Sequence, residues 1–365
     1  MPVKQLPPDA QIDGLKQHAK DLLTAIRAED VPAFQRVREF HPCMERFSDS
    51  QIRSSVFTLS DAQLAIGREY GFASWARLLE AVAESMGVEL QLPHHERIED
   101  PTFRQAVDLI DEGNINGLTG LVEEHPQLLT QSITFAGDNY FSNPTLLEFI
   151  AENPIRNNNL PDNIVDVTRA LLQLGADRNR DSVNMTLSLV CSGNVVREQG
   201  VQTELIGVLC DAGAEPGGAM MPALSHGEFD AAEKLIEQGA KLDIVSAAAV
   251  GRKDVVQQNL PTAADEHKHQ ALAMAAQHGR TEVLKLLLES GEDPNRFNPI
   301  GFHAHSTPLH QAALAGHMLA VKELIKFGAK SDLKDTIFDG TALGWAKHAG
   351  HVEIADFIEN KRADS

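Results

Sequence analysis

Apolar positions along most of this chain recur at three- and four-residue spacing, the period of a helix with one buried face. Leu15, Ala19, Leu22, Leu23 and Ile26 make the first stripe, and Ala33, Phe34, Val37 and Phe40 the second. Asp30 is placed to cap the second helix. His41-Pro42 ends it, because a proline disfavours helix at the residue before it. Residues 44–58 are less regular. Ser60 then opens a helix with Ala62, Leu64, Ala65 and Tyr70, Gly71 ends it, and Ser74 opens another carrying Trp75, Leu78, Leu79 and Val82. The Pro-rich residues 1–11 are expected to fray. Residues 87–101 are charged, aperiodic and bracketed by Pro93 and Pro101, which predicts a linker with His94 and His95 solvated.

From Thr102 onward the pattern becomes a recurring one: a short apolar helix, a glycine turn, a second apolar helix. The clearest copy is Ser306–Lys330. Thr307 suits a helix N-cap, and Pro308 suits the first helical position, where an N–H would go unused. Ala312 and Ala313 let a neighbouring helix come close. Gly316 supplies the left-handed turn between antiparallel helices. Val321, Leu324 and Ile325 form one apolar stripe, and Gly328-Ala329 closes the unit. One such pair cannot bury its apolar faces alone, so neighbours of the same kind are expected.

Eight units can be laid out this way. Gly113, Gly227, Gly251, Gly279, Gly316 and Gly350 mark six of the turns. Gly316 to Gly350 is 34 positions and Gly279 to Gly316 is 37, whereas Gly227 to Gly251 is 24 and Gly251 to Gly279 is 28. The fourth and fifth units are therefore expected to keep the helix pair and lose most of the finger between units. The second and third carry inserts between their helices, Pro154–Asn163 and Gly193–Gly200, expected to project from the opposite face.

The wording of Thr307-Pro308-Leu309-His310, Ala312-Ala313, Gly316-His317 and Gly328-Ala329 resembles the ankyrin repeat. Gly316–Gly350 is close to that family's period of about 33. The resemblance covers about residues 102–361 and is most specific in the last three units. It implies an all-α, ankyrin-like α-solenoid of stacked helix pairs with short β-hairpin fingers, preceded by a helical N-terminal cap domain. Residues 1–86 would be that module, 87–101 the linker and 102–361 the array. The N-terminal region also resembles a module associated with bacterial ankyrin-repeat proteins. The resemblance further implies that fingers and first helices line a concave face on which a protein partner binds.

Composition narrows the partner. The chain has 365 residues and a formal net charge of −20. Nucleic acid and anionic membranes are poor partners for such a chain, because phosphate contacts need clustered Lys and Arg. The same argument weighs against reading residues 59–85 as a DNA-binding helix-turn-helix and favours a capping domain with Trp75 in its core. Cys43, Cys191 and Cys210 are too few and scattered for a disulfide framework. With no apolar leader and no run of transmembrane length, the expected location is cytoplasmic. No cofactor is implied: there is no Gly-rich phosphate loop, GxSxG elbow, HExxH or CxxC.

Two fingers carry the candidate site. Thr130–Pro144 places Phe135, Tyr140 and Phe141 in a segment expected to be exposed. Asn295–Ser306 carries Arg296, Phe297, Phe302, His303 and His305. Exposed aromatics and arginines are the usual anchors of a protein interface. The leading expectation is a protein–protein interaction scaffold. The alternative is an enzyme, or a small-molecule or metal-binding protein, built on the His-rich finger. Aligned turns put His267–His269, His305 and Asp339 level across neighbouring fingers, so His303, His305, Asp339 and His269 are the only metal-ligand candidates. His310, His317 and His351 fall where the repeat pattern itself has histidine and are read as structural.

Overall fold

The computed structural model describes residues 4–7, 10–42, 44–55, 57–86, 93–135 and 140–363, so Cys43 and the first part of the linker, 87–92, fall outside the described residues. The chain divides into two compact units, 1–214 and 215–365. Both are helical. Among the described residues extended pairing is limited to two isolated antiparallel bridges, Ser132 with Thr145 and Lys334 with Thr341. Two of the fingers thus carry one bridge each among the described residues, and the first adds backbone bonds from Ile133 N to Pro144 O and from Phe135 N to Ser142 O.

In the first unit, helices Ile12–Arg27, Val31–Phe40, Leu59–Glu69 and Trp75–Met86 enclose Leu15, Leu22, Phe34, Val37, Ile66 and Leu78. Trp75 lies in this core. Thr58 and Asp61 start the third of these helices as a capping box: the Asp61 carboxylate accepts from Thr58 N at 2.7 Å. Asp100 caps helix Pro101–Asp111 by accepting from Thr102 N and Phe103 N at 2.9 and 3.1 Å. Its side chain Asp108 then accepts from Ser60 N at 2.8 Å, tying the first repeat helix to the N-terminal helices. These helices and the repeat pairs up to Ala214 belong to one compact unit.

The two inserts do not project as loops. Arg156, 1% exposed, pairs bidentately with Asp111 at 2.8 Å and donates to Phe149 O at 2.9 Å. Glu152 accepts from Arg156 N and Asn158 N, both at 2.8 Å. A buried guanidinium needs several acceptors, and meeting that need folds residues 152–158 back onto the repeat. Gly193–Gly200 is not a loop either: it holds a helical turn, Asn194–Glu198, with Val195 and Val196 buried. The preceding TLLEFIA stretch is a 3-10 helix, Leu146–Ala151, rather than an α-helix.

The second unit is a run of five helix pairs. They are Met220–Ser225 with Phe229–Glu237, Ile244–Val250 with Lys253–Asn259, Asp265–Gln277 with Thr281–Glu289, Pro308–Leu314 with Met318–Lys326, and Ala342–His348 with Val352–Ala363. First helices pack on first helices and second on second from Ile244 to Ala363. Alanines make this approach possible: Ala247, Ala248, Ala275, Ala276, Ala312 and Ala313 are fully buried.

A recurring stitch joins successive pairs. The residue after each of the last three turn glycines, Gly279, Gly316 and Gly350, reaches back to a carbonyl of the preceding pair: Arg280 Nε to Ala249 O at 2.8 Å, His317 Nε2 to Gln277 O at 3.0 Å, His351 Nε2 to Leu314 O at 3.0 Å. The stitch covers the earlier turn. A Cβ on Gly279 would lie 2.6 Å from the His317 ring, and one on Gly316 2.7 Å from the His351 ring. Both glycines also have positive φ, +65° and +79°. Glycine is required there twice over.

Candidate functional site

The first finger turns its aromatics inward. Phe135 and Phe141 are 4% and 3% exposed and stack on each other with centroids 6.1 Å apart. His94 meets both edge-on at 5.0 and 5.2 Å, Phe141 packs on Phe149 at 5.4 Å, and Arg97 lies 4.8 Å over the Phe135 ring. The expectation that Phe135 and Phe141 are exposed anchors is therefore corrected. The partner they find is the 3-10 helix His94–Arg97, read from sequence as solvated linker. Two stacked phenyl rings lose far more by hydration than by folding onto that helix. Tyr140 alone stays out, 52% exposed, with its hydroxyl 3.3 Å from Asn153 Oδ1. Residues 136–139 of this finger lie outside the described residues.

The second finger is more open. His303 is exposed with φ +62°, a left-handed conformation uncommon for a non-glycine residue, while His305, Phe297 and Phe302 are half-buried. Arg296 pairs with Glu266 at 3.0 Å, both exposed. Phe297 contributes its carbonyl, which accepts from His269 Nε2 at 2.9 Å. The tip residue is Ile300, 92% exposed between Pro299 and Gly301. Ile300 escaped the sequence reading because it is neither aromatic nor charged.

The metal candidates do not converge. His269 is fully buried inside helix Asp265–Gln277, where residues 267–269 had been expected to lie level with the finger. Desolvation there holds its imidazole below the ordinary range, and the hydrogen bond to Phe297 O fixes it as a structural residue. Asp339 is occupied by Lys334 at 2.6 Å. His303 and His305 meet edge to face at 6.1 Å between centroids. Among the described residues no group of three His, Cys, Asp or Glu could hold a metal ion.

What His305 does join is the next finger. Its carbonyl accepts from Thr336 N at 2.9 Å, and its ring lies 6.1 Å from Phe338 and 5.7 Å from Trp345. That next finger is organised by Asp335, 3% exposed. Its carboxylate accepts from Phe338 N at 2.6 Å, Ile337 N at 2.9 Å, Gly340 N at 2.8 Å and Trp345 Nε1 at 3.0 Å. Burial alone would raise its pKa, but the bonds from Phe338 N, Ile337 N, Trp345 and Gly340 N outweigh that and take it down to about 2. A carboxylate so engaged clamps the turn and pushes Ile337 and Phe338 outward, 64% and 72% exposed. The Asp335–Gly340 spacing was the available sequence signal: a short acidic side chain that closes on backbone N–H groups two and three residues ahead. Trp345 packs on this finger side, on His305, His310 and Asp335.

The second unit thus presents three large apolar side chains at finger tips, Ile300, Ile337 and Phe338, beside a frame of His303, His305 and Trp345. The frame is rigid at its base. His310 bonds Thr307 Oγ1 through Nδ1 at 2.8 Å and Gly340 O through Nε2 at 3.2 Å, as the reading of His310 as structural requires. No helix among the described residues is long and apolar enough to cross a membrane.

Comparison with known proteins places these units. A family model described as ankyrin repeats (many copies) matches residues 272–318, and one described as ankyrin repeat matches 305–336. The chain is 28% identical over 218 residues to ankyrin repeat and KH domain-containing protein mask-1 of Caenorhabditis elegans. That match covers 54% of this chain but 8% of the nematode protein. It is 31% identical over 104 residues to ankyrin repeat and SAM domain-containing protein 6 of Mus musculus, covering 28% of this chain and 11% of that protein. A shorter relative, the Notch-regulated ankyrin repeat-containing protein of Xenopus tropicalis, is 32% identical over 110 residues, which cover 29% of this chain and 91% of the relative. The chain spans only a small part of the larger relatives, and what it shares with all three is the repeat. With ankyrin-repeat models matching its helix pairs and a relative matched over 91% of that relative's length, the chain belongs to the ankyrin-repeat family.

Proposed function

We propose that this chain is a protein–protein interaction scaffold whose partner docks on the finger tips of the second unit. The observation that carries the reading is the exposure of Ile300, Ile337 and Phe338 on turns held rigid by buried polar groups. Exposed large apolar side chains grouped on stiff turns are costly to leave in water and are characteristic of interaction sites. Aromatic anchors beside a polar rim are the usual energetic centre of such an interface. Tyr140, Arg296, Phe302, His303 and His305 would serve as flanking contacts rather than as catalysts or metal ligands. In this reading residues 1–86 act as a helical module, 87–101 as connector and 102–361 as the repeat array. A reducing, cytoplasmic setting, in which cysteines stay as thiols, is part of this reading.

The test is quantitative capture from a lysate of the source organism, with wild type, an Ile337→Ser and Phe338→Ser double variant, and Leu319→Ser. Leu319 is 65% exposed on the second-helix side and controls for general stickiness. The double variant should lose its bound proteins by about tenfold or more, and Leu319→Ser should keep them. Equal capture by all three sinks the reading.

A further inference from the structure

The last finger contains a chemically labile step, Asp339 followed by Gly340. Of the three Asp-Gly or Asn-Gly pairs in the chain, this one lies at a finger tip. In such a pair the glycine nitrogen can attack the preceding side-chain carbonyl, because no Cβ shields it. A bond forms between Gly340 N and Asp339 Cγ. The carboxyl hydroxyl and the amide proton leave as water, and the product is a five-membered succinimide. Water then opens the ring at either carbonyl. One opening restores aspartate, and the other gives isoaspartate, whose main chain runs through the side-chain methylene. We propose that Asp339-Gly340 is a latent isoaspartyl modification site that the Asp335 clamp keeps closed, and that opening of this finger exposes it to conversion.

Three observations carry it. Both reacting groups are engaged elsewhere. Gly340 N donates to Asp335 Oδ2 at 2.8 Å, and the Asp339 carboxylate receives Lys334 Nζ at 2.6 Å. The hydroxyl can leave only from the protonated acid, and the ammonium of Lys334 favours the ionised form. Asp335 does not help as a base. It already accepts four N–H groups, and those bonds hold it at about 2, so it draws an amide proton weakly.

The clamp also requires the residue that makes the step labile. A Cβ on Gly340 would lie 2.9 Å from Asp335 Oδ2 and 3.0 Å from Trp345 Nε1. Its φ is not positive, so close approach rather than backbone conformation demands glycine. The finger cannot close on its carboxylate without leaving the nitrogen of Gly340 unshielded.

Finally, the product does not fit the clamp. Asp335 N donates to Gly340 O at 2.8 Å, and Lys334 bridges Thr341 just beyond. Isoaspartate at 339 adds a methylene to the main chain inside that closed turn and puts both links out of register. Asp339 itself is 76% exposed at the side chain, one residue from Phe338.

The experiment holds the full chain at neutral pH for weeks and reads isoaspartate at position 339. Peptide mapping locates it, and methyl transfer from S-adenosylmethionine by an isolated isoaspartyl methyltransferase measures it. Native wild type should accumulate at least about tenfold less than the same chain in urea, because conversion waits for local opening. Asp335→Ala should lose most of that protection, with Asp13-Gly14 in the first unit converting as in wild type. Lys334→Ala should keep most of it, since Gly340 N stays bound to Asp335. The proposal falls if native wild type converts as fast as the chain in urea. It falls equally if Asp335→Ala stays as slow as wild type, or if Lys334→Ala loses as much protection as Asp335→Ala. The native and urea comparison and the Lys334→Ala arm decide even where Asp335→Ala unfolds the second unit. No partner takes part, so this test and that of the scaffold reading fail separately.

Discussion

The Asp335 carboxylate receives four N–H groups, and their combined pull holds it ionised although burial favours its acid form. Its stabilising contribution is present above the ordinary carboxylate pKa and is lost as the pH falls through about 2. Asp335→Ala leaves those donors without an acceptor and should cost about 2–3 kcal/mol in urea unfolding. It should also release Ile337 and Phe338 from their outward setting. Glycines offer a sharper contrast. Gly316→Ala places a Cβ 2.7 Å from His351 at φ +79° and should destabilise by about 1–2 kcal/mol or more. Gly120→Ala meets open space and should stabilise by about 1 kcal/mol. Denaturant midpoints of the two variants should therefore move in opposite directions. Such differences were only half legible in the sequence. The turn role of Gly316 follows from its place between two apolar stripes, whereas the idle Cβ space at Gly120 depends on helices far apart in the chain.

Helices with a strong apolar stripe were the legible elements, and fingers and inserts were not. A stripe such as Val321, Leu324, Ile325 fixes both helix and buried face from local spacing alone. The fate of a finger depends on what lies beside it. Phe135 and Phe141 look like anchors until helix His94–Arg97 closes over them. The insert after Glu152 looks like a loop until Arg156 finds Asp111 forty-five positions away. Arg156→Ala strands Asp111 and Glu152 against each other and should destabilise the first unit by about 3–5 kcal/mol. Thermal unfolding of that variant checks it. The helix ending at Gln277 makes a pH prediction for the second unit. His278 is pushed down to about 4, by burial first and then by Arg280 and His317. The unfolded chain therefore binds a proton that the native unit refuses, and stability falls as the pH drops from 6.5 to about 4. In the first unit Glu148 works the other way. Burial raises it to about 7 against its bonds to Thr145, so it lowers stability as the pH rises from 4.5 to about 7. Glu148→Gln keeps an acceptor for Thr145 and should raise the melting temperature at pH 8 more than at pH 4.

Across the molecule, chemistry is spent on structure in most places where the sequence suggested function. Imidazoles stitch repeats, phenyl rings close a finger, and a carboxylate clamps a turn. What remains outside that account is a small set of apolar side chains at the finger tips of the second unit. A formal charge of −20 keeps such a chain dispersed, and a partner meeting those tips would be neutral or basic rather than acidic. Raising the salt should therefore slow association more than it weakens the apolar contact itself. The most direct measurement places a photo-crosslinking amino acid at position 338 in one sample and at position 319 in another, with lysate proteins as targets. The scaffold reading predicts discrete adducts from position 338 that excess wild-type chain competes away, and none from position 319. Adducts equal at both positions, or none at 338, would contradict it.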